Sequence, residues 1–136
     1  MKSLFQVPQK VHNAVILMVD LAVNGGPGVF VSLTEVAERQ KLSRGFLEEI
    51  VAPLRQVGLV KAKRGAYGGY ALSRDPSKMT VREIIEAVEG PVTFVDCLGA
   101  GGDCALAKSC SSKRLWGRVQ ERVAESLEEM TLKELV

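Results

Sequence analysis

Three cysteines close together in the sequence are the residues best suited to chemistry. They are the only cysteines in the chain, Cys97, Cys104 and Cys110, with six and then five residues between them. Three of the six residues between the first two are glycines, which let the backbone bend where side chains would resist. Soft thiolate ligands hold zinc and iron–sulfur clusters. The sequence therefore predicts a metal-binding loop.

The cysteines by themselves leave three hypotheses open. An iron–sulfur cluster held by three thiolates and one weaker ligand would be labile, as a sensor requires, and this is the hypothesis we favour. A structural zinc site more often has two to four residues between paired cysteines. A cluster-free thiol switch needs two cysteines close enough to bridge, and Lys108 and Lys113 would favour a reactive thiolate.

No enzyme site can be assembled from the remaining residues. The chain has a single histidine, and it contains no P-loop, no dinucleotide-binding glycine fingerprint and no serine–histidine–acid set. The glycines between Gly65 and Gly69 fall in a predicted hairpin turn, so they do not predict a phosphate-binding loop. We expect no catalytic residues, no enzyme activity and no small-molecule substrate.

Charge is distributed unevenly along a chain that is long enough for one domain. The 136 residues are 46% hydrophobic and carry a net charge of +2. The basic segment, residues 39–74, holds eight basic and two acidic residues, whereas residues 121–136 hold five acidic and two basic residues. This asymmetry favours a basic face of the protein that contacts the phosphates of a nucleic acid and an acidic face that is turned away from them.

The cellular location is predicted from the absence of a recognisable signal peptide and of a membrane-spanning segment in the sequence. Met1–Gln9 has neither an apolar run nor a small-residue cleavage site, and the longest apolar run, Ala14–Val19, is too short to span a membrane. Clustered cysteines outside a secretory context are more often metal-binding or redox-active than structural disulfides. We therefore expect a cytoplasmic protein without a membrane partner.

Two short helices joined by a tight turn are predicted near the start of the basic segment. They follow a first amphipathic helix that Pro8 opens and residues 24–27 end. Ser32 with Glu35 predicts a capping box for a helix to about Gln40, and Ser43 predicts the cap of the next helix. This arrangement is typical of a helix-turn-helix, in which the N-terminal end of the second helix enters the major groove.

The second of these helices leads into a predicted basic hairpin. Pro53 inside the helix predicts a kink or a restart, and Gly58 predicts its end. Residues 59–63 and 70–73 read as strands around a glycine-rich turn, which is typical of a wing that approaches the DNA backbone. Arg64 is placed there for a phosphate or a narrow minor groove. A winged helix that binds a protein partner is the alternative, because fold alone does not fix function.

A further short helix and a long one complete the predicted fold. Thr80 and Glu83 predict a capping box for a helix that Gly90 and Pro91 end, and Ser111 or Ser112 is expected to cap the long helix. A narrow apolar stripe on the long helix favours packing on a second copy: Trp116, Val119, Val123, Leu127 and Met130. We expect one domain over residues 1–136, divided into a DNA-binding part (1–76), a connecting helix with the cysteine loop (80–110) and a dimerisation helix with its tail (111–136). The fold class is mainly α with a small β-hairpin.

With these motifs the sequence resembles the winged-helix transcription regulators of the Rrf2 family, which includes IscR and NsrR. The similarity covers nearly the whole chain, and the wing and the three cysteines are specific when they occur together. The matching segments are residues 32–37, 46–55 and 58–60, the wing 64–72, the cysteines, Trp116 and residues 131–135.

The resemblance implies a homodimeric DNA-binding regulator, such as a repressor, that holds an iron–sulfur cluster in the cysteine loop. The cluster would be 2Fe–2S or 4Fe–4S. Its state would respond to redox state, nitric oxide, iron or iron–sulfur supply, and would change the placement of the helix-turn-helix and thereby its binding to an operator duplex. The residues expected to contact DNA are Ser43, Arg44 and Glu48 of the recognition helix, and Lys63, Arg64 and Tyr67 of the wing.

The fourth ligand is where this sequence departs from the family pattern. Some relatives use a histidine three residues after the last cysteine, but Lys113 occupies that position. Other relatives take a ligand from the N-terminal helix of the opposite subunit, and His12 lies at or near that position. We predict His12 as the fourth ligand, with Asp96, Asp103 or an exogenous ligand as alternatives. The first gap between cysteines is also one residue longer than the usual five.

Overall fold

The structure is a computed structural model that describes residues 3–99 and 110–136. Within these residues five helices accompany one two-stranded hairpin, in the order α1 (Gln9–Asn24), α2 (Leu33–Gln40), α3 (Arg44–Gln56), β1 (Val60–Lys63), β2 (Gly69–Leu72), α4 (Val81–Glu89) and α5 (Ser111–Glu129). Short 3-10 turns lie at Pro76–Lys78, Asp96–Leu98 and Leu132–Leu135. The fold class predicted from the sequence, mainly α with a small hairpin, is confirmed.

Helix α1 forms the centre of the hydrophobic core. Its apolar residues recur at helical spacing, and Ala14, Leu17, Met18 and Leu21 are completely buried. They face α3, α4 and the C-terminal 3-10 turn. The helix ends at Asn24, where the predicted breakers begin.

Side-chain caps set the beginnings of α2 and α3. The Ser32 hydroxyl accepts the Glu35 N–H at 3.2 Å, and the Ser43 hydroxyl accepts the Phe46 N–H at 3.0 Å. The capping box predicted at Ser32 is only half formed, because the Glu35 carboxylate lies 3.9 Å from the Arg39 guanidinium instead. Between the two helices Lys41 adopts a left-handed conformation with φ of 56°.

Helix α3 runs without interruption through Pro53, so the helix does not restart there. It ends at the predicted position, because Gly58 has a positive φ of 83° and the Leu59 N–H bonds back to the Leu54 carbonyl at 3.0 Å. The hairpin follows, with β1 and β2 antiparallel and Val60 opposite Leu72. Val31 adds a third, single-residue contact, since its N–H and carbonyl both bond to Tyr70.

The C-terminal tail returns to the winged-helix core. The capping box between Thr80 and Glu83 is complete and starts α4 as predicted. The Leu132 N–H donates to the Met79 carbonyl at 2.8 Å, and Leu132 itself is completely buried. The end of α5 is therefore anchored directly in the core that carries the helix-turn-helix.

Helix α5 differs from the others because none of its residues is buried. The predicted cap at Ser111 or Ser112 is wrong: the helix begins at Ser111, and the Cys110 side chain occupies the capping position. The predicted stripe from Trp116 to Met130 is only half-buried, and Leu115 beside it is 54% exposed. Among the described residues, no helix has the length and apolar character needed to cross a membrane.

Candidate nucleic-acid interface and cysteine site

The N-terminal end of α3 presents three of the predicted DNA-binding residues on an exposed surface. Ser43, Arg44 and Glu48 are all exposed. The Arg44 Nη1 donates to the Thr34 hydroxyl of α2 at 3.2 Å, and its Nε lies 3.3 Å from the Glu48 carboxylate one turn along α3. The guanidinium is therefore held at the junction of the two helices, where its remaining N–H groups stay available to a base edge or phosphate.

The hairpin presents the other three predicted residues. Lys63 ends β1, and its ammonium lies 5.7 Å from the centroid of the Phe30 ring. Arg64 is exposed in the turn, and Tyr67 at the tip is 91% exposed. A side chain at Gly68 would collide with the Lys63 carbonyl, so this tight turn requires glycine. The wing thus carries two cations and one aromatic ring on a compact support.

Arg39, a cation of the basic segment, is already engaged by a carboxylate of the protein itself. The Arg39 guanidinium donates two hydrogen bonds to Asp20 of α1, at 3.1 and 2.7 Å. This pairing was not predicted from the sequence. The available signal was a single acid within the apolar face of α1, but nothing local identified its partner 19 residues away.

Two of the three cysteines lie in the described residues, at either end of the cysteine loop. Cys97 is half-buried within the Asp96–Leu98 turn. Cys110 is also half-buried, and its sulfur accepts the Lys113 N–H at 3.4 Å at the start of α5. A sulfur that receives an N–H at the N-terminus of a helix is in a place that suits negative charge. Both free thiols thus have the donor chemistry that a cluster or zinc would use. Cys104 and Asp103 lie outside the described residues.

An aromatic cluster lies beside the cysteine site and was not predicted. The rings of Phe94 and Trp116 stack with centroids 6.2 Å apart, and the Phe5 ring contacts both. The Phe94 N–H also donates to the Gln120 side chain at 3.1 Å. The cluster joins the N-terminal segment, the segment before Cys97 and the first turns of α5, which follow Cys110.

The predicted fourth ligand, His12, is exposed on α1. Across residues 3–99 and 110–136, no three histidine, cysteine or acidic side chains converge as a metal site would require. Asp96, one of the alternative ligands, is exposed next to Cys97. Lys113, which stands where some relatives have a histidine ligand, lies in the first turn of α5. The predicted set of four ligands, Cys97, Cys104, Cys110 and His12, therefore stays a prediction.

Comparisons with known proteins agree on one family. Residues 7–136 match the family described as Rrf2, iron-dependent transcriptional regulator. The chain is 38% identical over 130 residues to the HTH-type transcriptional regulator CymR of Bacillus subtilis, covering 96% of this chain and 88% of that protein. It is 39% identical over 131 residues to the HTH-type transcriptional regulator IscR of Klebsiella pneumoniae, covering 96% and 79%. The solved structure of CymR, the global cysteine regulator of B. subtilis, superposes with a TM-score of 0.75 over 96% of this chain and 95% of that one, at 37% identity.

Proposed function

Because this chain belongs to the Rrf2 family of transcriptional regulators, we propose that it is a homodimeric DNA-binding repressor whose operator affinity depends on its cysteine site. The observation that carries the proposal is the exposed basic surface formed by the start of α3 and the wing, on the same chain as two half-buried thiols. The family description, an iron-dependent regulator, supports iron as the element that the thiols bind.

DNA would be read by the first turns of α3. Ser43 and Arg44 lie where a recognition helix meets the major groove, and Arg44 has the fork of donors that suits a guanine edge or a phosphate. In the free protein the Glu48 carboxylate lies 3.3 Å from Nε of Arg44. A DNA acceptor that needs the Nε edge of Arg44 must compete with that carboxylate, so Glu48 disfavours contacts of this kind that offer Arg44 no better geometry.

The wing would hold the protein on the backbone beside the groove. Lys63 and Arg64 supply charge, and the exposed Tyr67 ring supplies contact area at the tip. Such contacts fix orientation and affinity more than sequence preference. Each cation that neutralises a phosphate releases counterions and therefore adds to the salt dependence of binding.

The unburied helix α5 supports a homodimer. Its exposed side is a groove lined by three apolar residues, Leu115, Val119 and Val123, with Arg114, Arg118 and Arg122 beside them. The other end of the helix is acidic, with Glu121, Glu125, Glu128 and Glu129. Two antiparallel copies would set each basic half against an acidic half while covering the apolar residues. Paired half-sites in the operator match such a dimer.

The cysteine site would hold an iron–sulfur cluster through Cys97, Cys104 and Cys110, with His12 as the fourth ligand. A bound cluster supplies an oxidisable, labile group that responds to redox state, nitric oxide or iron supply. On the chain itself, Cys110 caps the start of α5, and the turn that follows the end of α5 buries Leu132 in the winged-helix core. A change in the position of Cys110 would therefore reach the DNA-binding part through a single helix about 28 Å long.

A cluster-free thiol switch is the second candidate. The specific observation in its favour is the similarity to CymR, which is described as a global cysteine regulator. Both hypotheses use the same cysteines, but they differ in what the purified protein contains. Zinc bound to these residues is the remaining alternative.

The DNA-binding proposal is tested with Arg64→Ala, measuring affinity for a selected operator duplex at several salt concentrations. Loss of one phosphate contact per subunit, two per dimer, should weaken binding and lower the slope of log affinity against log salt by about 1.8. Arg82→Ala is the matched control, because Arg82 lies on α4 and pairs with Glu86 and Glu128. Unchanged affinity and slope in Arg64→Ala would remove Arg64 from the interface.

The cluster proposal is tested by anaerobic purification followed by absorption spectroscopy and assays of iron, sulfide and zinc. Broad charge-transfer bands with iron and sulfide are expected, and replacement of any one cysteine by serine should abolish or strongly destabilise them. His12→Ala should leave the dimer intact and alter the spectrum or the lifetime of the cluster. Colourless protein with zinc, or with no metal after anaerobic reconstitution, would reject the cluster in favour of zinc or the thiol switch.

A further inference from the structure

The most deeply buried charge among the described residues is the Asp20 carboxylate, which belongs neither to the DNA-binding surface nor to the cysteine site. The Asp20 side chain, in the last turns of α1, has no exposed area. Its carboxylate accepts Nε and Nη2 of Arg39 at 3.1 and 2.7 Å, and Nε2 of Gln40 at 2.8 Å. All three donors come from the last two residues of α2, so one side chain of α1 is bonded to both residues that end that helix.

Burying this carboxylate has a physical cost that the hydrogen bonds must offset. Burial by itself raises the pKa of Asp20, but hydrogen bonds from Arg39 and Gln40 and the positive charge of Arg39 outweigh it, so the pKa is lowered overall. The pKa of Arg39 is raised by the same pairing. A buried ion pair is seldom more stable than apolar residues of similar volume, whereas its directional bonds can specify one arrangement.

The Asp20–Arg39 pair lies next to the turn that joins α2 to α3, so the arrangement that it can specify is that of the helix-turn-helix. Only Lys41, Leu42 and Ser43 separate Gln40 from the start of α3. Lys41 holds a left-handed conformation that non-glycine residues disfavour, so the turn depends on its neighbours for its shape. Four buried residues of α3 hold the body of that helix in the core, so fixing the end of α2 on α1 acts on the turn and on the start of α3, Ser43 and Arg44.

We propose that Asp20 is a positioning residue for sequence-specific DNA recognition, because it locks the end of α2 onto α1 and thereby positions the turn and the start of the recognition helix α3. This role rests on the DNA-binding function proposed above. The same lock engages Arg39, so the basic segment contributes to phosphate binding chiefly through its other cations. Asp20 acts through the helix-turn-helix and touches no DNA itself.

Asp20→Asn tests the role with little change in shape, since the amide keeps one acceptor oxygen but loses the charge and the second acceptor. The probes are a duplex selected by the wild-type protein from a randomised pool and a scrambled duplex of equal length and composition. We expect at least a tenfold loss of affinity for the selected duplex, with affinity for the scrambled duplex and the salt slope unchanged. Loss of a merely structural residue would instead reduce binding to both duplexes in proportion to the folded fraction.

Glu86→Gln is the matched control, because Glu86 is a half-buried carboxylate that pairs with Arg82 at 3.0 Å on α4, away from the helix-turn-helix. It should keep the wild-type ratio of the two affinities. If Asp20→Asn does not fold, Arg39→Lys decides the question, because lysine keeps the charge but cannot donate the two parallel bonds. Arg39→Lys should also lower the ratio.

The outcomes separate this role from the proposed function. If the folded Asp20→Asn or Arg39→Lys protein retains the wild-type ratio, Asp20 is not a positioning residue, although DNA binding stands. If the wild-type protein selects no sequence from the pool, the proposed function fails, and the role of Asp20 fails with it.

Discussion

Replacement of Leu132 by alanine should destabilise the whole winged-helix part, although Leu132 lies only four residues from the end of the chain. The side chain is completely buried in the core, in a turn that packs on α1. Leu→Ala removes three carbon atoms at about 0.8 kcal/mol each, or roughly 2.4 kcal/mol. The cavity that remains raises the expected cost to about 3–4 kcal/mol of the free energy of unfolding.

Urea unfolding followed by far-UV circular dichroism measures this loss, with the protein concentration fixed because dimerisation also contributes to stability. With a slope of about 2 kcal/mol per molar urea, the midpoint should fall by roughly 1.5–2 M. Leu135→Ala is the matched control, since Leu135 lies in the same turn but is 41% exposed. Its replacement should cost less than about 1 kcal/mol.

Equal midpoints for the two variants would refute the reasoning. That result would mean that the tail does not pack on α1 in solution, and that α5 is not anchored to the helix-turn-helix at its C-terminal end. The transmission of a change at Cys110 through α5 would then lose its physical basis.

Two further predictions concern the helix-turn-helix. Lys41→Gly should raise the free energy of unfolding by about 0.5–1 kcal/mol, because glycine adopts the left-handed conformation at φ of 56° without the clash of a Cβ atom; a lower melting temperature would show that the Lys41 side chain makes a compensating contact. Because the pKa of folded Asp20 lies below its ordinary value of 3.8, its stabilisation is fully present above pH 3.8 and is lost as the pH falls through the folded value. The free energy of unfolding measured against pH should therefore fall less steeply in acid for Asp20→Asn than for the wild type, and identical acid limbs would contradict the pairing with Arg39.

The beginnings of α2, α3 and α4 and the end of α3 could be predicted because their signals are local. The hydroxyls of Ser32, Ser43 and Thr80 each bond to a backbone N–H three residues ahead, and Gly58 ends α3 by its own conformation. Such interactions reach no further than one helical turn, so the residue types and their spacing suffice to identify them. The winged-helix arrangement followed from several such signals in a fixed order, whereas the family was identified by the resemblance of whole segments.

Where local signals competed, the sequence was less decisive. Three successive residues, Cys110, Ser111 and Ser112, each carry a side chain that can cap a helix, and the structure has Cys110, with an extended backbone, at the capping position. At Glu35, two acceptable partners lay within reach, the Ser32 N–H and Arg39, and the carboxylate lies toward the arginine. Propensity cannot rank alternatives that differ by so little energy.

The sequence by itself determined the order of the elements and the basic segment that carries Arg44 and Arg64, and it predicts the three thiols as a metal-binding or redox site. Only the tertiary structure decided which distant residues meet: Asp20 with Arg39, Val31 with Tyr70, and Leu132 with the core. The physical reason is that a capped helix is encoded by neighbours within a turn, whereas a buried ion pair or a closing hydrophobic contact forms only when packing excludes water from both partners at once.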